Sequence, residues 1–173
     1  VKFVWYGLFV LAILSPLAAV SDVPAVESKT GAQVSLTSDE SLLLSLINSE
    51  RVENGLPALN LDPILTDVAR RHSSDMAKRD YFSHLEPQPN PLTPLDRYAK
   101  ALGKQPDLVV GENLGRAEEP LMGMLHECMM KSPEHKANIL DKDYTQIGVG
   151  IYMLPEGKVW ITQMYAGKPQ IMR

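Results

Sequence analysis

Cysteine is almost absent: Cys128 stands alone in 173 residues. One thiol closes no internal disulfide and builds no multi-cysteine zinc finger, so the fold must rest on a packed core. Basic blocks are missing too. Seventeen Lys and Arg face 21 Asp and Glu, a formal net charge of −4. Nucleic-acid binding rests on neutralising phosphates, so a general nucleic-acid partner is excluded. There is no Gly-rich phosphate loop; the one Gly-x-Gly, Gly148-Val-Gly150, sits in an apolar, strand-like run. Neither a His-Glu-x-x-His helix nor a Gly-x-Ser-x-Gly elbow occurs, which removes two common hydrolase signatures. No internal repeat or low-complexity tract is visible. What is present is a hydrophobic fraction of 45%, ordinary for one folded domain of this length.

The chain opens with a positive residue, Lys2, and an uncharged apolar run from Phe3 to Leu14, broken by Ser15-Pro16. Ala19 and Ser21 then suit the −3 and −1 positions of a cleavage site. This is the pattern of a secretory signal over residues 1–21; the alternative is retention as an N-terminal membrane anchor, although the run reaches spanning length only by counting through Pro16. Residues 22–38 lack sustained periodicity and read as a flexible leader. Residues 39–168 are the folded domain and 169–173 a tail. The implied location is secreted, periplasmic or extracellular, with the membrane a partner only through an uncleaved N-terminal segment.

Within the domain, helices come first and strands last. Thr37-Ser-Asp-Glu40 is a capping box, followed by Leu43, Leu44, Ile47 and Val52 at roughly helical spacing, with Gly55 as a stop. Asp62-Pro63 opens a second helix whose face carries Leu65, Val68, Ala69, His72 and Met76. Thr93-Pro94 opens a third, to Gly103, with Leu95, Tyr98, Ala99 and Leu102 inward, and Glu119-Pro120 a fourth. Ser132-Pro133 starts a short fifth helix through Leu140. Two β-rich runs, Tyr144–Met153 and Lys158–Tyr165, flank a Pro155-Glu-Gly157 turn and predict an antiparallel hairpin. Leu108-Val-Val110 predicts a further short strand. The class is α+β: an α-β-α sandwich, a small antiparallel sheet flanked by helices.

Four histidines precede the hairpin. His84 lies in a loop before the Pro-rich stretch Pro87–Pro91, where no core pattern operates, so it faces solvent or a cleft. His135 lies in the first turn of the short helix, where the helix dipole favours neutral imidazole, the form of a ligand or a base. Glu112 follows the apolar Leu108-Val-Val110. His72 falls on an apolar stripe and reads as a core or supporting histidine. His126 reads as a surface or edge position and Glu127 as an ordinary exposed carboxylate. Cys128 reads as a small buried hydrophobe, and Met122, Met124, Met129 and Met130 as adaptable core filler.

The order of several short words is more specific than any one of them. Leu46-Ile-Asn-Ser-Glu-Arg51, Val68-Ala-Arg-Arg-His-Ser-Ser-Asp-Met76, Phe82-Ser-His84, Pro94-Leu-Asp-Arg97, Gly111-Glu-Asn-Leu114, Ser132-Pro-Glu-His-Lys-Ala-Asn-Ile-Leu140 and Tyr144-Thr-Gln-Ile-Gly-Val-Gly150 follow one another over about 120 residues. In this the chain resembles the CAP superfamily (cysteine-rich secretory proteins, antigen 5 and pathogenesis-related 1 proteins; the SCP domain), in its cysteine-poor bacterial branch. The resemblance implies an α-β-α sandwich and a cleft lined by two histidines and one or two glutamates. By motif these are His84, His135 and Glu112. Glu127 is a second glutamate by proximity only, because the matching helix lacks the expected Trp and carries Met129 instead. The bacterial Ser-Pro-Gly-His-Arg word reads Ser132-Pro-Glu-His-Lys136 here. The resemblance further implies that His84 and His135 can hold zinc or another divalent metal, an open site of two imidazoles plus solvent.

Two functions fit this set. The leading one is an exported, non-enzymatic binding module for a small-molecule, lipid-like or cell-surface partner. The other is a metal-dependent, peptidase-like hydrolase with Glu112 as general base beside His84 and His135. A surface interaction protein with an idle cleft is a third class.

Overall fold

The computed structural model describes residues 34–168. The signal-like segment, most of the leader and the tail lie outside the described residues. The elements are α1 (Ser38–Glu53), β1 (Asn60–Leu61), α2 (Pro63–Lys78), α3 (Pro94–Leu102), β2 (Val109–Ala117), α4 (Met122–Lys131), α5 (Pro133–Ile139), β3 (Tyr144–Met153) and β4 (Val159–Gly167).

Local signals placed the helices. Thr37 and Glu40 close a reciprocal capping box on α1, and Thr93 and Asp96 close one on α3. Asp62 accepts from the Leu65 amide at 2.7 Å, with Pro63 in the first turn of α2. Gly103 ends α3 at φ 70°, a left-handed conformation that suits glycine.

The sheet runs in the order β1-β3-β4-β2. The β3–β4 hairpin and the β4–β2 pair are antiparallel, and the two-residue β1 adds a parallel edge. Pairing of Asn113 with Gln163 and of Val149 with Gln163 aligns the three long strands. Helices α2 and α3 cover one face; α1, α4 and α5 cover the other. This is an α+β, α-β-α sandwich. Gly148 and Gly150 have a packing role: a Cβ on either would strike the α2 backbone, at Leu65–Thr66 and at Ala69–Arg70. The Gly-x-Gly brings helix and sheet into close contact. A buried Arg51 ties α1 to the end of α5 and the residues after it, donating to the carbonyls of Ile139 and Asp141 at 2.8 Å each.

Several expectations need correction. The strand expected at Leu108–Val110 begins at Val109 and runs nine residues, through Glu112 to Ala117. Helix α4 begins at Met122, because a tight turn already uses the carbonyls of Glu119 and Pro120. Its buried face is Met122, His126 and Met129, which reverses the reading of His126 as a surface position. Cys128 and Met124 fall off that face and are exposed, so neither is core. Val52 in α1 and Leu95 in α3 also turn outward. In α3 the buried side chains include Arg97 beside Tyr98 and Ala99.

Candidate functional site

The site is built around the edge strand β2. Its alternation sends Glu112 and Leu114 toward α2 and α3, and Asn113 and Gly115 toward α4 and α5. Glu112 is buried, and both carboxylate oxygens are engaged. Oε1 accepts from His84 Nδ1 at 2.7 Å, and Oε2 accepts from an Arg97 terminal nitrogen at 2.5 Å. Arg97 also donates to the backbone carbonyls of His84 and Leu92, at 3.0 Å each. One guanidinium therefore grips the carboxylate and the backbone of the residue that carries the imidazole.

A carboxylate accepts, so His84 Nδ1 carries the hydrogen and Nε2 is left as the lone-pair nitrogen of the neutral ring. The His84 side chain is 57% exposed while Glu112 is buried beneath it. His72 supports the same loop from α2: its Nε2 donates to the Ser83 carbonyl at 3.1 Å and lies 3.9 Å from Glu112. Burial pushes the His72 imidazole down to about 4, with Glu112 opposing and Arg97 assisting. The expectation of a buried, supporting histidine holds.

His135 approaches from the other side of β2. Asn113 Nδ2 donates to the His135 carbonyl at 3.1 Å and to Gln163 Oε1 at 3.1 Å. Asn138 Nδ2 donates to the Glu112 carbonyl and to Asn113 Oδ1. These amides fasten α5 to the strand. Burial, and then the nearby His84, push the His135 imidazole below its usual value. Neutral imidazole is the metal-binding form. A groove of about 420 Å³ opens beside His135, with Phe82, Leu114, Leu125 and Met129 among its walls. A second cavity, about 410 Å³, lies behind Arg97 and His72.

Glu127 is not brought to this cluster. Its side chain is 71% exposed on α4, 4.0 Å from Lys131. Among the described residues, no group of three or more His, Cys, Asp and Glu is arranged to hold a metal ion. Sequence reasoning did not find Arg97 as a site residue. Its only signal was an Arg on the inner face of a short capped helix, within the Pro94-Leu-Asp-Arg97 word.

Residues 44–165 match the cysteine-rich secretory protein family, CAP. The chain belongs to the CAP family. It is similar to the uncharacterized protein YkwD of Bacillus subtilis, 33% identical over 152 residues, which covers 86% of the chain and 56% of the relative. It is similar also to the uncharacterized membrane protein YlbC of the same organism, 33% identical over 115 residues, 66% of the chain and 32% of the relative. The chain thus spans about half of one curated relative and a third of the other. Among solved CAP-like structures, an extracellular SCP-domain protein of Bacillus anthracis superposes with a TM-score of 0.64 at 27% identity, covering 79% of the chain and 45% of that protein. An outer surface protein of Borrelia burgdorferi superposes with a TM-score of 0.68 at 20% identity, covering 81% of the chain and all of that protein. The Bacillus subtilis relatives support placement in the cysteine-poor bacterial branch of the CAP family, and the Borrelia structure shares the fold.

Proposed function

We propose that the chain is an exported CAP-domain binding module whose cleft takes its ligand between His84 and His135. One observation carries this reading: Glu112 is already engaged on both oxygens, by His84 and by Arg97. A general base must release its partners to take a proton from water, and a buried carboxylate paired with a guanidinium does so poorly. This weighs against the hydrolase alternative. Export is supported by the signal-like residues 1–21 and by the extracellular and outer-surface descriptions of two structural relatives.

The donor chemistry fits a weak divalent site. His84 Nε2 and the neutral His135 ring would hold an ion such as zinc, with solvent completing the shell. The ion would supply an electrophilic anchor for a ligand oxygen. A small molecule, a lipid-like molecule or a cell-surface group fits such a cleft.

Calorimetric titration of the purified chain with zinc tests this reading, together with a peptide and cell-wall hydrolase screen in added zinc. The expected result is zinc binding that disappears in a His84→Ala/His135→Ala variant, with no turnover above background. Zinc-dependent turnover abolished by both His84→Ala and Glu112→Ala would overturn it.

A further inference from the structure

Strand β2 is the last strand of the sheet, and β4 satisfies only one of its two edges. The direction of each backbone group follows from the ladder. The Ile147 carbonyl accepts from Asp62 N at 2.8 Å and the Ile151 amide donates to Glu40, so these odd positions of β3 point away from β4. Gly148 and Gly150 therefore pair with Met164 and Thr162, and the alternate β4 residues, Ile161, Gln163 and Tyr165, turn to β2. Opposite them stand Gly115, Asn113 and Gly111. The amides and carbonyls of Glu112, Leu114 and Arg116 are left facing the open edge. Asn138 takes the Glu112 carbonyl at 3.2 Å. The outward groups of Leu114 and Arg116 have no partner among the described residues.

Those groups are not spread on bare surface. They lie along the roughly 420 Å³ groove beside His135, with Phe82 on one lip and Leu125 and Met129 on the other. Leu114 is only 5% exposed. Backbone polar groups at the floor of a groove require a partner, and the complement to a strand edge is another extended backbone. Arg116 is exposed at the end of the groove, its guanidinium 5.9 Å from the Phe82 ring centre, with no acidic partner among the described residues.

We propose that this edge binds an extended peptide of another protein by strand addition, with the peptide backbone paired to Leu114 and Arg116. Apolar side chains of the peptide rest against Phe82, Leu125 and Met129, and an acidic side chain meets Arg116. This rests on the binding-module reading and names its ligand class.

The probe is an end-capped hexapeptide of alternating Glu and Val, compared with the same peptide N-methylated at alternate amides. Amide hydrogen exchange is read on the purified chain. In the free chain, the Leu114 and Arg116 amides exchange at least tenfold faster than those of Asn113 and Gly115. The peptide slows them by tenfold or more. N-methylation on the pairing edge removes the effect, and Arg116→Glu weakens binding severalfold while favouring a Lys-Val peptide. Several outcomes overturn the proposal: Leu114 and Arg116 amides already protected in the free chain, binding unaffected by N-methylation, no binding at millimolar peptide, protection that grows with protein concentration alone (a second copy on the edge), or protection by lipid vesicles without peptide. Zinc titration of the His84→Ala/His135→Ala variant reads the cleft separately, so loss of the metal and loss of the peptide are distinguishable.

Discussion

Arg97 and Glu112 form an ion pair inside the protein, 2.5 Å apart, with side chains 6% and 1% exposed. The pair joins α3 to the edge strand, and Arg97 fixes the His84 loop at the same time. Removing one member of a buried pair strands the other, which typically costs about 3–5 kcal/mol. Arg97→Met is expected to lose stability in that range in urea unfolding, and to free the His84 loop as read by its amide exchange. Arg97→Lys keeps a charge but not the three-way fork, and should fall between wild type and Arg97→Met. A loss below about 1 kcal/mol for Arg97→Met would mean the pair contributes little to holding the cleft.

The glycines of β3 offer a second contrast. Gly148→Ala and Gly150→Ala place a Cβ into the α2 backbone, and backbone cannot rotate out of the way as a side chain does. Each should lose several kcal/mol or fail to fold, as overpacked cores do at about 1–3 kcal/mol even when side chains can yield. Gly123 lies in α4 with open space at its Cβ position. Gly123→Ala should raise stability by roughly 0.5–1 kcal/mol through helix propensity. Equal melting temperatures for the three variants would refute the close helix–sheet packing.

Much of this architecture was legible because it is written in local chemistry. The Thr37 and Thr93 capping boxes, Asp62-Pro63 and the β-branched runs of the hairpin act within a few residues of themselves. What was not legible depends on distant partners. The strand β2 contains Gly111, Glu112, Asn113, Gly115 and Arg116, a poor strand by propensity, and β4 beside it makes it one. Arg97 looks like a surface residue of a short helix until Glu112 arrives from 15 positions away. The buried face of α4 cannot be read from periodicity because six of its ten residues are Met, Leu or Cys, so the apolar pattern does not choose a side. His84 and Glu112 were found by motif, and their 2.7 Å contact follows from a sheet edge that periodicity could not place.

The exposed face of α4 carries a chemical consequence. Cys128 is a solvent-reachable thiol on the wall of the groove beside His135. It should react stoichiometrically with a thiol reagent in the native state without denaturant. The product should keep a melting temperature close to that of the unmodified chain, because the side chain supports no core contact. Reaction only after unfolding would restore the buried assignment.

His126 presents the opposite case, a polar group in a helix–helix interface with a buried Nδ1 that has no hydrogen-bond partner among the described residues. Burial pushes its imidazole below the ordinary value. An unpaired buried nitrogen costs about 1–3 kcal/mol. Replacing the ring with an apolar group of similar volume removes that cost, so His126→Leu should leave stability unchanged or raise it by about 1 kcal/mol. A drop of several kcal/mol in urea unfolding would show that the nitrogen has an unseen partner, such as an ordered water.

The pH dependence of stability should carry the mark of His72. Its imidazole, buried between α2 and the His84 loop, is pushed from 6.5 down to about 4. Above pH 6.5 both the folded and the unfolded chain hold it neutral, and its contribution to stability is complete. Between pH 6.5 and 4 the unfolded chain takes up a proton that the folded chain refuses, so stability falls as the pH falls. At roughly 1.4 kcal/mol per pH unit, the loss across that window is about 3 kcal/mol. Burial alone would raise the Glu40 carboxyl, but the Arg70 guanidinium and the backbone amides of Thr37 and Ile151 together hold it below 4.5, so it adds a loss only as the pH falls below that value. His72→Gln can retain a side-chain hydrogen bond to the Ser83 carbonyl but cannot titrate. Urea unfolding from pH 7 to 4 should therefore show a shallower slope in this variant, with wild type losing about 3 kcal/mol more across the window. Parallel profiles for the two proteins would mean that His72 takes up its proton equally in both states, and that the ring is not sealed beneath the loop.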